Sequence, residues 1–496
     1  MTTSPSILPP APPTPAPEVA TTIITTPRAI FALLAGFAAF AFTIVLPTLL
    51  LDGDTGWHLA TGAWIVAHGS VPTHDPFSFT AAGRPWVAHE WLSELAMYAS
   101  YRAAGWTGLN LLTGAAMATL YALVASQLCR WMSIRASIVA LLLTAPGIAP
   151  SLLARPHILA LPLLAGWLIA LLHARERGRA PPLVLVPLML IWANAHGSFI
   201  FGLALAAVFA LEALIAEVPT DRHAVIVGWG VFGACSGIAA LATPAGFGGF
   251  VFPFYVNGLK LLAHLGEWQP ANFSTFAAPE AILLATLFFL LAKPVRIPPV
   301  RLLLLLGVLH LALQHTRQES VLIIVGVLIL AQPLGAAWTS ATATAPKSAT
   351  ARRDTRLIGG LVLLLAIALT AYRVAVPVVR TDSEGIPATA LQHLPRSLRD
   401  ARVFNEYSFG GPLILAGIRP YIDGRSDMYG DTFALDYFAI AAGDATRWRA
   451  ANAKWHFGWT ILPPHSPLAK RLDHDPAWRR IYADDTAAIH VARPTL

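Results

Sequence analysis

About eleven long apolar runs dominate this chain, near 29–51, 107–129, 134–153, 158–174, 181–195, 198–216, 223–243, 278–292, 301–314, 319–336 and 357–378. A helix needs roughly 17 to 25 apolar residues to cross a hydrocarbon core of about 30 Å. Several runs are short, notably those starting at Pro181, Pro279 and Arg301, so spans there tilt, break or merge. A hydrophobic share of 56% against 12% charged over 496 residues fits that reading: a polytopic α-helical membrane protein of about 11 transmembrane helices.

The net charge of +7 does not point to nucleic acid, because the bases are spread through short loops between apolar runs. They read as topology signals. With the N-terminus inside, Arg28, Arg130, Arg135, Arg175, Arg177, Arg179, Arg222, Lys293, Arg296, Arg301, Lys347, Arg352, Arg353 and Arg356 fall on the cytoplasmic side. Before the last run the opposite loops hold only Arg84, Arg102, Arg155, Lys260 and Arg317, and that asymmetry sets the orientation. Residues 1–28, rich in Pro, Thr and Ala and without a basic leader region, read as a disordered cytoplasmic tail. Cys129 and Cys235 supply no disulfide framework and no CxxC metal site.

The orientation also sorts the unusual polar residues. Outside, or at outer helix ends, fall "DGDTGWH", "VAHEWLSE", "ARPH", "WANAHGS", "GEWQPANF" and "QHTRQES", while the inner loops carry little beyond topology charges. Polar groups near hydrocarbon are costly and usually face an internal cavity, so the clustering predicts one shared extracytoplasmic cavity. The first outer loop, 52–106, is too long for a connector; short interfacial helices are expected there, with Trp86 and Trp91 as headgroup-level anchors.

Asp52 and Asp54 cannot share a helix face, but on a turn around Gly53 both can point at one ligand. Such a pair can bind a divalent cation such as Mg or Mn, or one acid can serve as base while the other sets its pKa. Arg155 with His157, Arg317 with His315, and His196 are the candidate phosphate-binding groups, since a guanidinium fork suits a phosphate. His58 and His89, in the first outer loop, join that set. No P-loop, dinucleotide fingerprint or HExxH motif is present.

After the last run, residues 380–496 change character and predict a small extracytoplasmic α/β domain with its own modest core. "RVFNEY" and "IRPYID" read as strands, "HSPLAKRLDHD" as a helix, and "WRRIYADDTAAIHVARP" as loosely alternating. In "YIDGRSDMYGD", Asp423, Arg425 and Asp427 suit either a cavity-facing loop that binds acceptor or sugar, or a turn in which Arg425 pairs with a neighbouring carboxylate. The glycines of "FNEYSFGGPL" either contribute to the site or only start a helix.

An acid-bearing first outer loop directly after the first span, interfacial helices, many spans and a C-terminal outer domain together resemble the GT-C superfamily of membrane glycosyltransferases. Closer still, "DGDTGWHLATGAWIVAHGSVPTHDPFSFTAAGRPWVAHEWL" and "VFNEYSFGGPLILAGIRPYIDGRSDMYGD" resemble the two hallmark stretches of an uncharacterised group of bacterial glycosyltransferase-like integral membrane proteins. The resemblance implies a polyprenyl-phosphate-linked sugar donor, a glycan or lipid acceptor hydroxyl, membrane lipids as surroundings, and a bacterial inner membrane location. It implies Asp52 or Asp54 as the base, with Glu90 and Glu267 as secondary acids in "EW" dipeptides whose tryptophans can stack on a sugar. The alternatives are a lipid-linked sugar transporter or flippase, and a non-catalytic glycan-binding protein of envelope assembly.

Overall fold

The structure is a computed structural model and describes residues 26–215, 222–338 and 350–493. The expected N-terminal tail therefore lies almost wholly outside the described residues, as does Lys347. Thirteen helices precede the C-terminal domain: α1 (Thr26–Val45), α2 (Thr55–His68), α3 (Trp91–Trp131), α4 (Ile134–Ile148), α5 (Pro156–Glu176), α6 (Val186–Ala195), α7 (Phe199–Ile215), α8 (Arg222–Leu241), α9 (Phe247–Asn257), α10 (Ala278–Leu291), α11 (Pro299–Gln314), α12 (Glu319–Trp338) and α13 (Thr350–Ala375). Each of the eleven apolar runs becomes a helix. Among the described residues seven helices are long and apolar enough to cross a membrane, and the four at 183–195, 199–215, 278–291 and 299–314 are shorter.

Helix α3 is two helices joined at a break. Ala104 leaves helical geometry and Gly105 turns left-handed at φ 58°, where a side chain would be strained, so residues 91–103 are set off from the long apolar segment that follows. Together with α2 this leading segment supplies the two short helices expected in the first outer loop. Of the two tryptophans expected as anchors, Trp86 is buried within the protein and Trp91 is half-buried. Trp86 is 6% exposed and lies beneath the Arg425 guanidinium, 4.8 Å from its ring centre. Trp91 donates its Nε1–H to Asn194 Oδ1 at 2.8 Å, which ties it to α6.

The C-terminal domain is α/β. Its helices are α14 (Ala388–Gln392), α15 (Gly410–Leu415), α16 (Ser426–Ala441), α17 (Ala445–Trp455) and α18 (Pro467–Asp473), and its strands β1 (Val403–Asn405), β2 (Trp459–Leu462), β3 (Trp478–Ala483) and β4 (Ala488–Ala492). The sheet runs β1-β2-β4-β3, with β1 parallel to β2 and the other pairs antiparallel. Helix α18 starts where Ser466 Oγ accepts the Ala469 N–H, an N-cap. The segment "IRPYID" forms no strand. The buried Asn405 amide takes the place of a ladder partner, accepting from Tyr421 N and donating to Ile422 O, both at 2.8 Å.

Two cores lie within this domain's reach. One, around Phe409, Trp459 and Ile489, belongs to it alone. The other joins Phe404, Tyr421 and Tyr437 to Trp57 and Trp86 of the first loop and to Leu261 and Leu262 ahead of α10. Burial of shared apolar surface thus fixes the domain on the bundle. Backbones meet directly: a Cβ on Gly53 would run into the carbonyl oxygens of Ser408 and Gly385, and one on Gly411 into that of Gly53. Gly53, Gly56 and Gly411 are there because the two stretches touch.

The contact is sealed by a buried ion cluster. Arg425 donates to Asp423 Oδ1 and Oδ2 at 2.8 and 2.7 Å and to Asp75 Oδ1 at 2.7 Å. Asp75 also caps the turn at Phe77 and Ser78. Gly53→Val is therefore expected to loosen the C-terminal domain, read as faster proteolytic release of a fragment near 381–496 from protein in lipid; release at the wild-type rate would count against this docking.

Candidate active site

The site forms where helix ends meet at one end of the bundle. The chain leaves α1, makes a short turn at Pro47–Leu50 and enters α2 through Asp52-Gly53-Asp54. Arg155 stands immediately before α5, with Pro156 at the first helical position. Its Nε and Nη2 each meet one oxygen of Asp52 at 2.5 Å, a fork-to-fork pair. The same Nη2 lies 3.1 Å from Asp54 Oδ2, and Nη1 lies 3.1 Å from Glu267 Oε2. Glu267 Oε1 in turn meets Arg317 Nη1 at 2.6 Å. Five expected residues thus form one continuous ionic chain.

Backbone contacts hold this chain in place. Arg380, just beyond α13, donates to the carbonyls of Leu50 and Asp52. The Glu267 turn is fastened to the α11–α12 junction: Thr316 Oγ1 donates to Glu267 O at 3.2 Å, and His315 Nδ1 lies 2.8 Å from Trp268 O. His315 therefore positions the turn. Trp268 lies under the Arg317 guanidinium, 5.3 Å from its ring centre.

A second group adjoins the first. Glu90 Oε1 lies 3.3 Å from His196 Nε2 and 3.6 Å from His89 Nε2, and Glu90 Oε2 lies 3.9 Å from His58 Nδ1. His58 Nδ1 also meets Glu94 Oε1 at 3.1 Å. The Ser198 N–H points at His196 Nδ1, so that nitrogen accepts and the proton is left on Nε2, the nitrogen nearer Glu90. His89 Nδ1 faces the Val87 carbonyl at 3.3 Å, which turns the Nε2 lone pair toward Glu90. His157 Nε2 donates to Ser151 O at 2.7 Å, and its ring centre is 6.4 Å from that of His196.

Side-chain exposure is 36% and 33% at Glu267 and Arg317, 26% at His89, 18% at Asp54 and Arg155, 10% at Glu90, and 1% at Glu94. Glu267 and Arg317 are thus the most solvent-accessible members. Burial would raise the Asp52 carboxyl, but the Arg155 guanidinium outweighs it and holds Asp52 below the usual carboxylate range. Asp54 behaves oppositely. Burial, helped by the charges of Asp52 and Glu267 and opposed by Arg155, pushes it up to about 7. Burial likewise pushes Glu90 up to about 7 against the pull of Arg317 and Arg155. Desolvation keeps His58 and His196 well below the ordinary imidazole value.

The residues do not fit a cation at the acid pair. The guanidinium of Arg155 faces both oxygens of Asp52 and one of Asp54, so a positive group already stands where Mg or Mn would bind. Among the described residues, no group of three or more His, Cys, Asp or Glu is placed to hold a metal ion.

The C-terminal loop divides. Asp423 and Arg425 are 0% and 1% exposed and bind each other and Asp75, so of their two expected readings the turn with an internal ion pair is the one observed. Asp427 is partly exposed, and burial pushes its carboxyl up to about 6, opposed by nearby His89. Gly424 packs against the Asp54 carboxylate so closely that a Cβ there would overlap it. Sequence reasoning passed over Asp75, Glu94, Arg380 and Gly424.

The sequence matches no family model and no curated protein. Among solved structures it is similar to the oligosaccharyltransferase of Archaeoglobus fulgidus in its apo form, at 11% identity and a TM-score of 0.48, over 87% of this chain and 69% of that one.

Removing Arg155 strands two buried acids. Arg155→Ala is expected to cost about 3–5 kcal/mol of unfolding free energy, the range for breaking a buried pair. Asp52→Asn in the same chain should recover part of that loss in a double-mutant cycle; strict additivity would mean the two do not interact.

Proposed function

We propose that this protein is a membrane glycosyltransferase of the GT-C type, moving a sugar from a polyprenyl-phosphate-linked donor to an acceptor hydroxyl at the outer face of a bacterial inner membrane. The observation that carries the reading is the junction at Arg155. A carboxyl raised toward neutrality, Asp54, stands beside the Arg155 guanidinium, which Glu267 in turn links to the guanidinium of Arg317. Those are the groups that transfer from a lipid phosphate requires.

In this reading Asp54 in its carboxylate form takes the proton of the acceptor hydroxyl. The acceptor oxygen bonds to the anomeric carbon as the bond from that carbon to the phosphate oxygen breaks. The electron pair leaves on the phosphate, whose growing charge Arg155 and Arg317 stabilise. Asp52 is the positioning residue: its low pKa keeps it charged, and its two oxygens hold Arg155. Glu90 is the second acid able to hold a proton near neutrality.

The far end of the bundle argues against a transporter. Glu212 of α7 meets Arg301 at 2.9 Å through both oxygens and Arg175 at 3.5 Å, joining α5, α7 and α11 at the end away from Arg155 and Arg317. Arg175 and Arg301 were expected to be plain topology signals, yet Arg301 is 8% exposed and its partner Glu212, which the sequence reading did not single out, is 6% exposed. They cross-link helices that a transport path would have to part.

Asp54→Asn is expected to lower transfer by about 10²–10⁴-fold, the usual share of a general base. Because the folded pKa is raised, the base is protonated below pH 7 and charged above it. Wild-type transfer should therefore climb with pH and level off above about 7. A flat profile from pH 5 to 9, or full activity in Asp54→Asn, would remove Asp54 from the role.

A further inference from the structure

Glu267 stands in an unusual place for an acid. Its two oxygens hold different arginines, Oε2 facing Arg155 Nη1 at 3.1 Å and Oε1 facing Arg317 Nη1 at 2.6 Å. Arg155 is fixed independently, because its Nε and Nη2 are held by Asp52. Among the described residues, Glu267 is the only acid within ion-pair distance of Arg317. Without the Glu267 carboxylate, two guanidinium nitrogens would converge on one gap that opens to the outside.

The gap has the charge and the geometry of a phosphoester site. Arg155, Arg317 and Arg380 bring three positive charges, while Asp52, Glu267 and, above about pH 7, Asp54 bring the negative ones that face them. Moving Glu267 away leaves an excess that a phosphate anion matches, and its tetrahedral oxygens can span two forks as a carboxylate does. Glu267 can leave without moving its backbone. It is the most exposed member of the chain at 36%, and its backbone is held separately through the Thr316 hydroxyl. Rotation about its own side-chain bonds is enough.

We propose that Glu267 is an internal stand-in for the substrate phosphate: it bridges Arg155 and Arg317 in the free protein and is displaced when an anionic phosphoester enters. The inference rests on the transferase reading for its ligand class and goes beyond it in assigning a competitor built into the chain. A resident carboxylate keeps two partly buried guanidinium groups paired until substrate arrives, and it sets an affinity threshold that a weak anion does not pass.

The test is calorimetric titration of the full chain in lipid nanodiscs with farnesyl phosphate and, separately, with inorganic phosphate. Wild type, Glu267→Gln, Glu267→Ala and Arg317→Gln are compared, each first shown to keep the wild-type unfolding temperature within a few degrees. Both Glu267 variants should bind a phosphoester about tenfold tighter than wild type, a difference of about 1.4 kcal/mol, and Arg317→Gln should bind it more weakly. A gain confined to farnesyl phosphate assigns the gap to a lipid headgroup, and an equal gain with inorganic phosphate to a free anion; either supports the stand-in. Wild type binding farnesyl phosphate with the Glu267 variants equal or weaker would overturn the stand-in and leave the transferase reading intact. No binding of either probe by any of the four proteins would overturn both.

Discussion

The pair between Asp52 and Arg155 organises this end of the molecule. Neither group is tolerable alone at so low an exposure, because a desolvated charge must be matched within hydrogen-bonding distance. Matched, they tie the turn after α1 to the start of α5 and fix the plane of the guanidinium. That plane decides the rest. It aims one edge of Arg155 at Asp54 and another at Glu267, so a single fork sets the relative positions of three carboxyls. Two acids separated by one residue thereby acquire opposite characters, Asp52 held as an anion and Asp54 lifted to about 7.

Around that pair the chain closes on itself. The first loop is one half of an interface whose other half lies more than three hundred residues later. Glycine in both halves brings backbones within contact, Arg425 bridges Asp75 to Asp423 across the seam, and Gly424 backs the Asp54 carboxylate. The C-terminal domain is consequently a wall of the cleft. A role for it as a separate glycan-binding module fits poorly with a core shared between Tyr421, Trp57 and Trp86.

Much of this was legible in the sequence, for identifiable reasons. Helices show because apolar periodicity and length are local properties, and one-sided clustering of Asp52, Glu90, Arg155, His196, Glu267 and Arg317 shows because parity along alternating spans carries it. What stayed hidden depends on partners distant in sequence. Trp86 looked like a headgroup anchor because nothing nearby in sequence announces Arg425, 339 positions away. "IRPYID" looked like a strand because it is a short run with two isoleucines and a tyrosine, while the side chain that replaces its ladder, Asn405, belongs to another segment. The division of labour between Asp52 and Asp54 was invisible for the same reason: only the orientation of Arg155 breaks their symmetry. Arg301 passed as a topology charge because its buried partner, Glu212, lies 89 positions away.

The central claim is that one sugar phosphate spans the cleft, its phosphate at the arginines and its anomeric carbon beside Asp54. The most direct measurement is an experimental structure of the protein in lipid nanodiscs with a prenyl phosphonate sugar that cannot be cleaved. The account predicts the phosphonate against Arg155 and Arg317, with the sugar turned toward Asp54. A phosphonate seated elsewhere, or a sugar facing away from Asp54, would contradict it.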